Sequence, residues 1–284
     1  MNQPKLSVIV PNYNHAAYVG EQLNAIVQQS YQPLEILVID DCSTDNSREV
    51  LNEWVEENPL IKLVSNEKNL GINDSFNRAV EMASGEYLCC CPADDRVLLD
   101  FFAKSMDLLG QYPKASLCCS IPAFLDDETG IIDRHDDWYR VRRTPSYLSP
   151  QELVDVVGPN SLWIAGVSCI FKRNIFIQSG KYINGLRWYS DWFIWHVMAF
   201  RYGICYIPEA LAAIRVLPTS YSEMGRKDTQ AETEVIQYLV KLLRSEQYKD
   251  VLASFKDSQL LDNFSFSPVL KRVLSYTYTA PISQ

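Results

Sequence analysis

Basic residues are in short supply in this 284-residue chain: 26 Lys and Arg stand against 35 Asp and Glu, a formal net charge of −9. A surface of that sign repels phosphodiester backbones, which excludes a nucleic-acid partner. It leaves room for a small phosphate-bearing ligand, because a bound divalent cation reverses the local sign. No apolar run reaches the roughly 18 residues that a membrane helix needs, so no transmembrane segment is expected. Met1 to Lys5 lead directly into a strand-like run, so no signal peptide is expected. Histidine is scarce: His15, His135 and His196 stand at no ligand spacing, although the run His135-Asp136-Asp137 suits a mobile loop. The 8 cysteines contain no CxxC pair, which leaves zinc unsupported. Cys89-Cys90-Cys91 and Cys118-Cys119 are contiguous, and neighbours in a strand point to opposite faces. They fit small buried hydrophobes in a reducing, cytoplasmic compartment. No GxGxxG follows the first apolar run, which removes a dehydrogenase. Internal repeats and low-complexity tracts are also missing.

What is present alternates between two periods. Leu6 to Val10 is a short apolar run, broken by Pro11-Asn12-Tyr13-Asn14; Ala16, Val19, Leu23, Ile26 and Val27 follow at helical spacing. Leu34 to Ile39 is a second strand, stopped by Asp40-Asp41. A helix is expected from about Ser47 to Glu57 with Asp45 as its cap, then a strand at Ile61 to Val64 and a helix over Asn73 to Ala83. Tyr87 to Cys91 is a fourth strand, ended by Pro92; a helix near Asp100 to Leu109 leads to a strand at Ala115 to Cys119. This alternation predicts an α/β fold, a doubly wound and mostly parallel sheet with flanking helices. Ligands bind such sheets beyond the carboxyl ends of the strands, where the polar clusters Pro11 to Asn14, Asp40 to Asp45 and Asp94-Asp95 fall.

The second part has a different texture. Residues Asp126 to Pro159 are polar and predict a long irregular excursion that shapes ligand choice. Beyond it Gly166 to Phe171 is strand-like, Asp191 to Arg201 helical, and Ile204 to Ile207 and Leu211 to Val216 suggest two more strands. Helical spacing returns over Gln230 to Arg244 and, more briefly, over Pro268 to Ser275. The organisation expected is one domain over residues 1–222, with a first part to about 120 and a second from about 121, and a C-terminal helical extension over 223–284.

Three fingerprints fall in order. They are Val8-Ile9-Val10-Pro11-Asn12-Tyr13-Asn14; then Leu37-Val38-Ile39 followed by Asp40-Asp41-Cys42-Ser43-Thr44-Asp45; then Asn69, Gly71, Asn77 and Ala83-Ser84-Gly85-Glu86-Tyr87 leading to Ala93-Asp94-Asp95. In this order and spacing they resemble family 2 glycosyltransferases, inverting enzymes of the GT-A fold, closely over about residues 5 to 100 and more loosely over about 160 to 222. The resemblance implies transfer of a sugar from a nucleoside diphosphate donor, with Mn2+ or Mg2+ as cofactor, to a glycan or lipid-linked acceptor. The setting would be bacterial surface polysaccharide synthesis, with peripheral membrane association open. Two rivals exist. A sugar nucleotidyltransferase needs a glycine-rich basic loop after the first strand, and Pro11 to His15 contains no glycine, lysine or arginine. A non-catalytic relative is suggested by Pro92, where the family often carries a further aspartate, and by Leu217 at the place of a histidine.

Carried onto this chain, the resemblance makes Asp94 and Asp95 the metal-holding pair. Breaking the anomeric bond leaves charge on a diphosphate, which a cation spreads; the plain alternative is a solvated turn. Pro11 and Tyr13 would frame the nucleobase, and Asp41 would accept from a pyrimidine ring nitrogen, favouring UDP- or dTDP-sugars; packing and helix capping compete for these residues. Asn69 and Gly71 would mark a close approach to the donor, or a plain loop. Asp191, in Tyr189-Ser190-Asp191-Trp192, would be the catalytic base, or else a helix cap. Trp188, Trp192 and Trp195 divide between acceptor stacking and core, and Arg215 would contact the diphosphate.

Overall fold

The computed structural model describes residues 4–134, 140–157 and 162–263. The first half follows the expected alternation: β1 Leu6–Asn12, α1 Ala16–Val27, β2 Glu35–Asp40, α2 Ser47–Glu57, β3 Ile61–Ser65, α3 Ile72–Met82, β4 Tyr87–Cys90, β5 Arg96–Val97 and α4 Phe101–Gln111. The second half continues with β6 Leu117–Asp126, β7 Ile132–Asp133, β8 Ser146–Leu148, α5 Pro150–Val157, β9 Cys169–Lys172, α6 Arg173–Ser179 and α7 Ser190–Tyr202. It closes with β10 Ile204–Val216, α8 Tyr221–Lys227, α9 Thr229–Leu243, α10 Leu252–Asp257 and α11 Leu260–Asn263.

The main path of the sheet runs β3-β2-β1-β4-β9-β6-β10-β5. β1, β2, β3 and β4 pair in parallel, as do β6 and β10, while β9 runs antiparallel to both β4 and β6. Alternation along each strand feeds two cores. Val8, Val10, Ile36 and Val38 join Leu23 of α1 and Phe101 of α4 on one face; Ile9, Leu37 and Ile39 join Phe76 of α3 and Phe193 of α7 on the other. A sheet covered on both faces needs apolar residues at successive positions, and every residue of β1 and β2 is buried.

Four expectations change. The two strands drawn at 204–207 and 211–216 are one strand, β10, whose register to β6 shifts between Ile207 and Ala212, so that Pro208 and Glu209 sit in a bulge rather than a turn. β6 runs on to Asp126, past the expected end at Cys119. The excursion from Asp126 holds β7, β8 and α5, so it is partly ordered onto the sheet edge. The cap of α2 is Asn46, not Asp45, which instead accepts from the amides of Ser47 at 3.0 Å and Ala16 at 3.0 Å and so ties α1 to α2. The segment His135 to Asp137 and the helix expected over Pro268 to Ser275 lie outside the described residues. Of the C-terminal helices, α9 and α10 share the core of α7: Ile236, Leu239 and Phe255 belong to the cluster that contains Phe193 and Trp195.

Candidate active site

The polar tips of β1 and β2 are stitched to each other. Asn12 donates to Asp40 Oδ1 at 2.9 Å and to Ser43 Oγ at 3.2 Å. Asn14 takes a positive φ of 56°, which a short polar side chain tolerates, and its Oδ1 accepts from the amide of Thr44 at 2.7 Å. Asp40, fully buried, is thereby spent on ordering the loop. Pro11 is buried, whereas Tyr13 is 43% exposed and presents its ring to solvent beside that loop.

Asp41 is also buried. Its Oδ1 accepts from Asn66 Nδ2 at 2.7 Å and from the Leu70 amide at 2.8 Å, and its Oδ2 accepts from the Gly71 amide at 2.8 Å. Asn69 Oδ1 receives the same Gly71 amide at 3.0 Å. Three residues singled out for the donor thus meet at one N–H. Gly71, at φ 82°, supplies the backbone conformation that lets this loop fold over the strand ends into α3. A carboxylate offers about four lone-pair sites, so Asp41 keeps one for a further donor.

Beyond β4 the chain stays against β1, with Cys91 N donating to Ile9 O at 2.8 Å and Ala93 N to Pro11 O at 3.0 Å. Pro92 needs no N–H here, and its carbonyl accepts from the buried Gln22 side chain at 3.1 Å and from Asp95 N at 3.1 Å. Asp95 is 9% exposed; burial pushes its pKa well above the ordinary range, with the neighbouring Asp94 charge adding and Arg215 opposing. Asp94 stands more open, 3.7 Å from His15 Nδ1. Two hard oxygen ligands side by side, one raised in pKa by burial and by the charge of the other, fit a divalent cation that takes its remaining ligands from phosphate and water. Among the described residues, no group of three or more His, Cys, Asp or Glu side chains is arranged to hold a metal without such help.

Asp191 arrives from the other side. It is the second residue of α7, where Tyr189 holds the cap position, so it does not cap the helix. Its Oδ1 accepts from the Trp192 amide at 2.7 Å, and burial pushes its pKa up to about 6. Gly166 faces it: a Cβ there would stand 3.6 Å from Asp191 Oδ2. Ser190 is buried and its hydroxyl accepts from the Ile183 amide at 2.5 Å, fixing the turn ahead of the helix. Within that turn Arg187 holds a strained φ of 46°, its carbonyl accepting from Asn73 of α3 at 3.2 Å. Trp192 and Trp195 are buried in the core, while Trp188 is half-buried and faces a cavity. His196 is packed among aromatic rings, its pKa lowered to about 4 by burial.

That cavity, of about 310 Å³, is lined by Asp94, Asp95, Asp191 and Arg215 together, with Trp163, Trp188 and Tyr221 among its walls. Residues from the end of β4, the start of α7 and the end of β10 therefore converge on one space. Arg215 lines this space with its guanidinium held by protein acceptors. Its Nε donates to the Asp94 carbonyl at 2.7 Å, Nη1 to Asp127 at 2.9 Å and Nη2 to Glu21, so each guanidinium nitrogen already has a protein acceptor. The carboxylates of Glu21 and Asp127 and the ring of Tyr18, 4.5 Å below the guanidinium, escaped the sequence analysis, as did His15 beside Asp94. Only the position of His15 just after the β1 motif offered a hint.

The model of the family described as Glycosyl transferase family 2 matches residues 7–180. A putative teichuronic acid biosynthesis glycosyltransferase, TuaG of Bacillus subtilis, is 32% identical over 107 residues, 38% of this chain and 42% of the relative. The chain thus matches less than half the length of such curated relatives. In structure, the chain is similar to S. aureus TarS in complex with UDP-GlcNAc, with a TM-score of 0.66 at 17% identity over 98% of this chain and 76% of that one. It is similar also to the mannosyltransferase PcManGT from Pyrobaculum calidifontis in complex with GDP-Man and Mn2+, with a TM-score of 0.66 at 20% identity over 100% of this chain and 77% of that one. These likenesses establish the fold as GT-A-like.

Proposed function

Because the chain belongs to glycosyl transferase family 2, we propose that it transfers a sugar from a nucleoside diphosphate donor to an acceptor hydroxyl with inversion at the anomeric carbon. The observation that carries this proposal is the convergence of the Asp94-Asp95 pair and the separately held Asp191 on one cavity. Leaving-group support and proton removal must come from opposite sides of the reacting carbon, and here they come from different elements.

In this scheme Pro11 and Tyr13 frame the nucleobase, and Asp41 offers its remaining lone pair to a ring N–H, which favours a UDP- or dTDP-sugar. The loop through Asn69 and Gly71 lies against the donor. Asp94 and Asp95 hold Mn2+ or Mg2+, which when bound spreads the negative charge of the departing diphosphate. Asp191 takes the proton of the acceptor hydroxyl as that oxygen bonds to the anomeric carbon, and the bond from that carbon to the diphosphate oxygen breaks with its electron pair. An aspartate with a pKa near 6 is a better base than an ordinary one and is still ionised at neutral pH. Trp188 and Tyr221 give the acceptor an aromatic wall. A glycan or lipid-linked acceptor in surface polysaccharide synthesis agrees with the teichuronic acid role in the name of TuaG.

Nucleotide release from UDP-GlcNAc and other UDP-sugars, with Mn2+ and with chelator, tests the scheme. Release that needs Mn2+ and is abolished in Asp191→Asn while UDP binding persists is the expected result. Release indifferent to Mn2+ and to the paired change Asp94→Ala and Asp95→Ala would remove the proposal.

A further inference from the structure

Arg215 directs a donor from each guanidinium nitrogen to the acid pair or its neighbours, and its amide to the pair itself. Its amide donates to Asp95 Oδ1 at 3.0 Å and its Nε to the carbonyl of Asp94 at 2.7 Å. The two outer nitrogens bridge Asp127, just past β6, and Glu21 of α1, and the guanidinium lies 4.5 Å over the ring of Tyr18. Arg96 also pairs with Glu21. The residue is only 7% exposed. Resting on the proposed function, we propose that Arg215 is a positioning residue: it fixes the Asp94-Asp95 turn in the geometry that receives the cation, and it is not a ligand of the diphosphate.

Two considerations favour positioning over direct contact. Three of the five guanidinium N–H groups are committed, one from each nitrogen, and turning the fork toward a phosphate would break the charge-assisted bonds to Glu21 and Asp127. The charges also cancel locally, since the cations Arg215 and Arg96 face the anions Glu21 and Asp127. Little net field is left to attract a phosphate or repel a metal, so geometry is what remains. The turn is otherwise held by main-chain bonds to β1, by the Gln22 contact to Pro92 and, from the residue after Asp95 onward, by the pairing of β5 with β10. Arg215 adds side-chain links from the turn to the segment just past β6 and to α1. Outer partners of metal-holding carboxylates are worth about 10–100-fold in metal affinity elsewhere.

Calorimetry of UDP binding to the full chain, in Mn2+ and in chelator, gives a metal increment as the ratio of the two affinities. Arg215→Gln is expected to shrink that increment about tenfold while UDP affinity in chelator stays within about twofold. Arg215→Lys is expected to restore little of it, because one ammonium cannot span both carboxylates and the carbonyl. Asp127→Asn, at a less buried position, is expected to shift the increment in the same direction by less, and it serves if the Arg215 variants do not fold. An equal loss of UDP affinity in chelator would make Arg215 a diphosphate ligand and overturn the proposal, as would an unchanged or larger increment. A wild-type chain with no increment would sink the proposed function and this inference together, whereas an increment retained in Arg215→Gln sinks this inference alone.

Discussion

Replacing Asp191 by asparagine should cost activity and raise stability, and the stability gain should depend on pH in a defined way. The Asp191 carboxyl ionises at about 6 in the folded chain, against an ordinary value of 3.8, because burial disfavours its charge. A shift of about two units corresponds to about 3 kcal/mol of penalty on the ionised form, or about 1–3 kcal/mol once partial exposure is allowed for. Below 3.8 both folded and unfolded chains hold the proton and the penalty is absent. As pH rises from there to about 6 the unfolded chain releases its proton first, so the native state loses stability; above 6 the loss is complete. Asparagine never ionises and keeps an oxygen for the Trp192 amide. The melting temperature of Asp191→Asn should therefore exceed that of the wild type by about 2–10 °C at pH 8, a gap that closes as pH falls through 6 toward 4. Thermal melts in a pH series, paired with turnover expected to drop about 10²–10⁴-fold, check both halves. A gap that does not vary with pH, or a variant less stable than wild type at pH 8, would refute the burial argument for Asp191.

Three further outcomes follow from the site. Asp41→Asn puts an NH2 against one of the N–H donors of Asn66, Leu70 and Gly71, and should cost about 1–3 kcal/mol in denaturant unfolding while weakening UDP binding. Gly71→Ala meets no steric neighbour but must adopt φ 82°; a loss of more than about 1 kcal/mol in the same assay is expected, and none would mean that the loop relaxes freely. Tyr189→Phe removes the hydroxyl that donates to the buried Glu232 at 2.7 Å, and a drop of about 1–3 kcal/mol in stability at neutral pH should follow.

The first half of the fold was legible because its elements are local. Each strand from β1 to β4 is a short apolar run closed by Asn, Asp or Pro, and each helix carries its stripe, so α1 and α2 matched the expected limits, whereas the two-residue β5, Arg96–Val97, carries no such mark. The second half depends on long-range pairing that leaves no local mark. Nothing in Cys169–Lys172 says that it runs antiparallel between β4 and β6, and Pro208-Glu209 reads as a turn until β6 is present to hold a bulge there. The site divides in the same way. Asp94, Asp95 and Asp191 end or begin elements and could be picked out. The partners of Arg215 lie 194 residues away in Glu21 and 88 away in Asp127, in segments whose own patterns are those of an ordinary helix face and a loop. Asp41 was expected to face a ligand and spends most of its acceptor capacity on amides of the next loop, a partner set that only the closed fold defines.

The insertion of β9 has a mechanical result. The strand is laced to the one that ends at the acid pair, and the chain leaving it passes through α6 and a short turn into the helix that carries Asp191. The acid pair thus follows one strand of the sheet, and Asp191 is reached from that strand's neighbour through α6 and residues 180–189. Under the proposed function, substrates of different bulk meet the cavity wall around Trp163 and Tyr221, and exchanging those segments is expected to retarget the protein without resetting its chemistry.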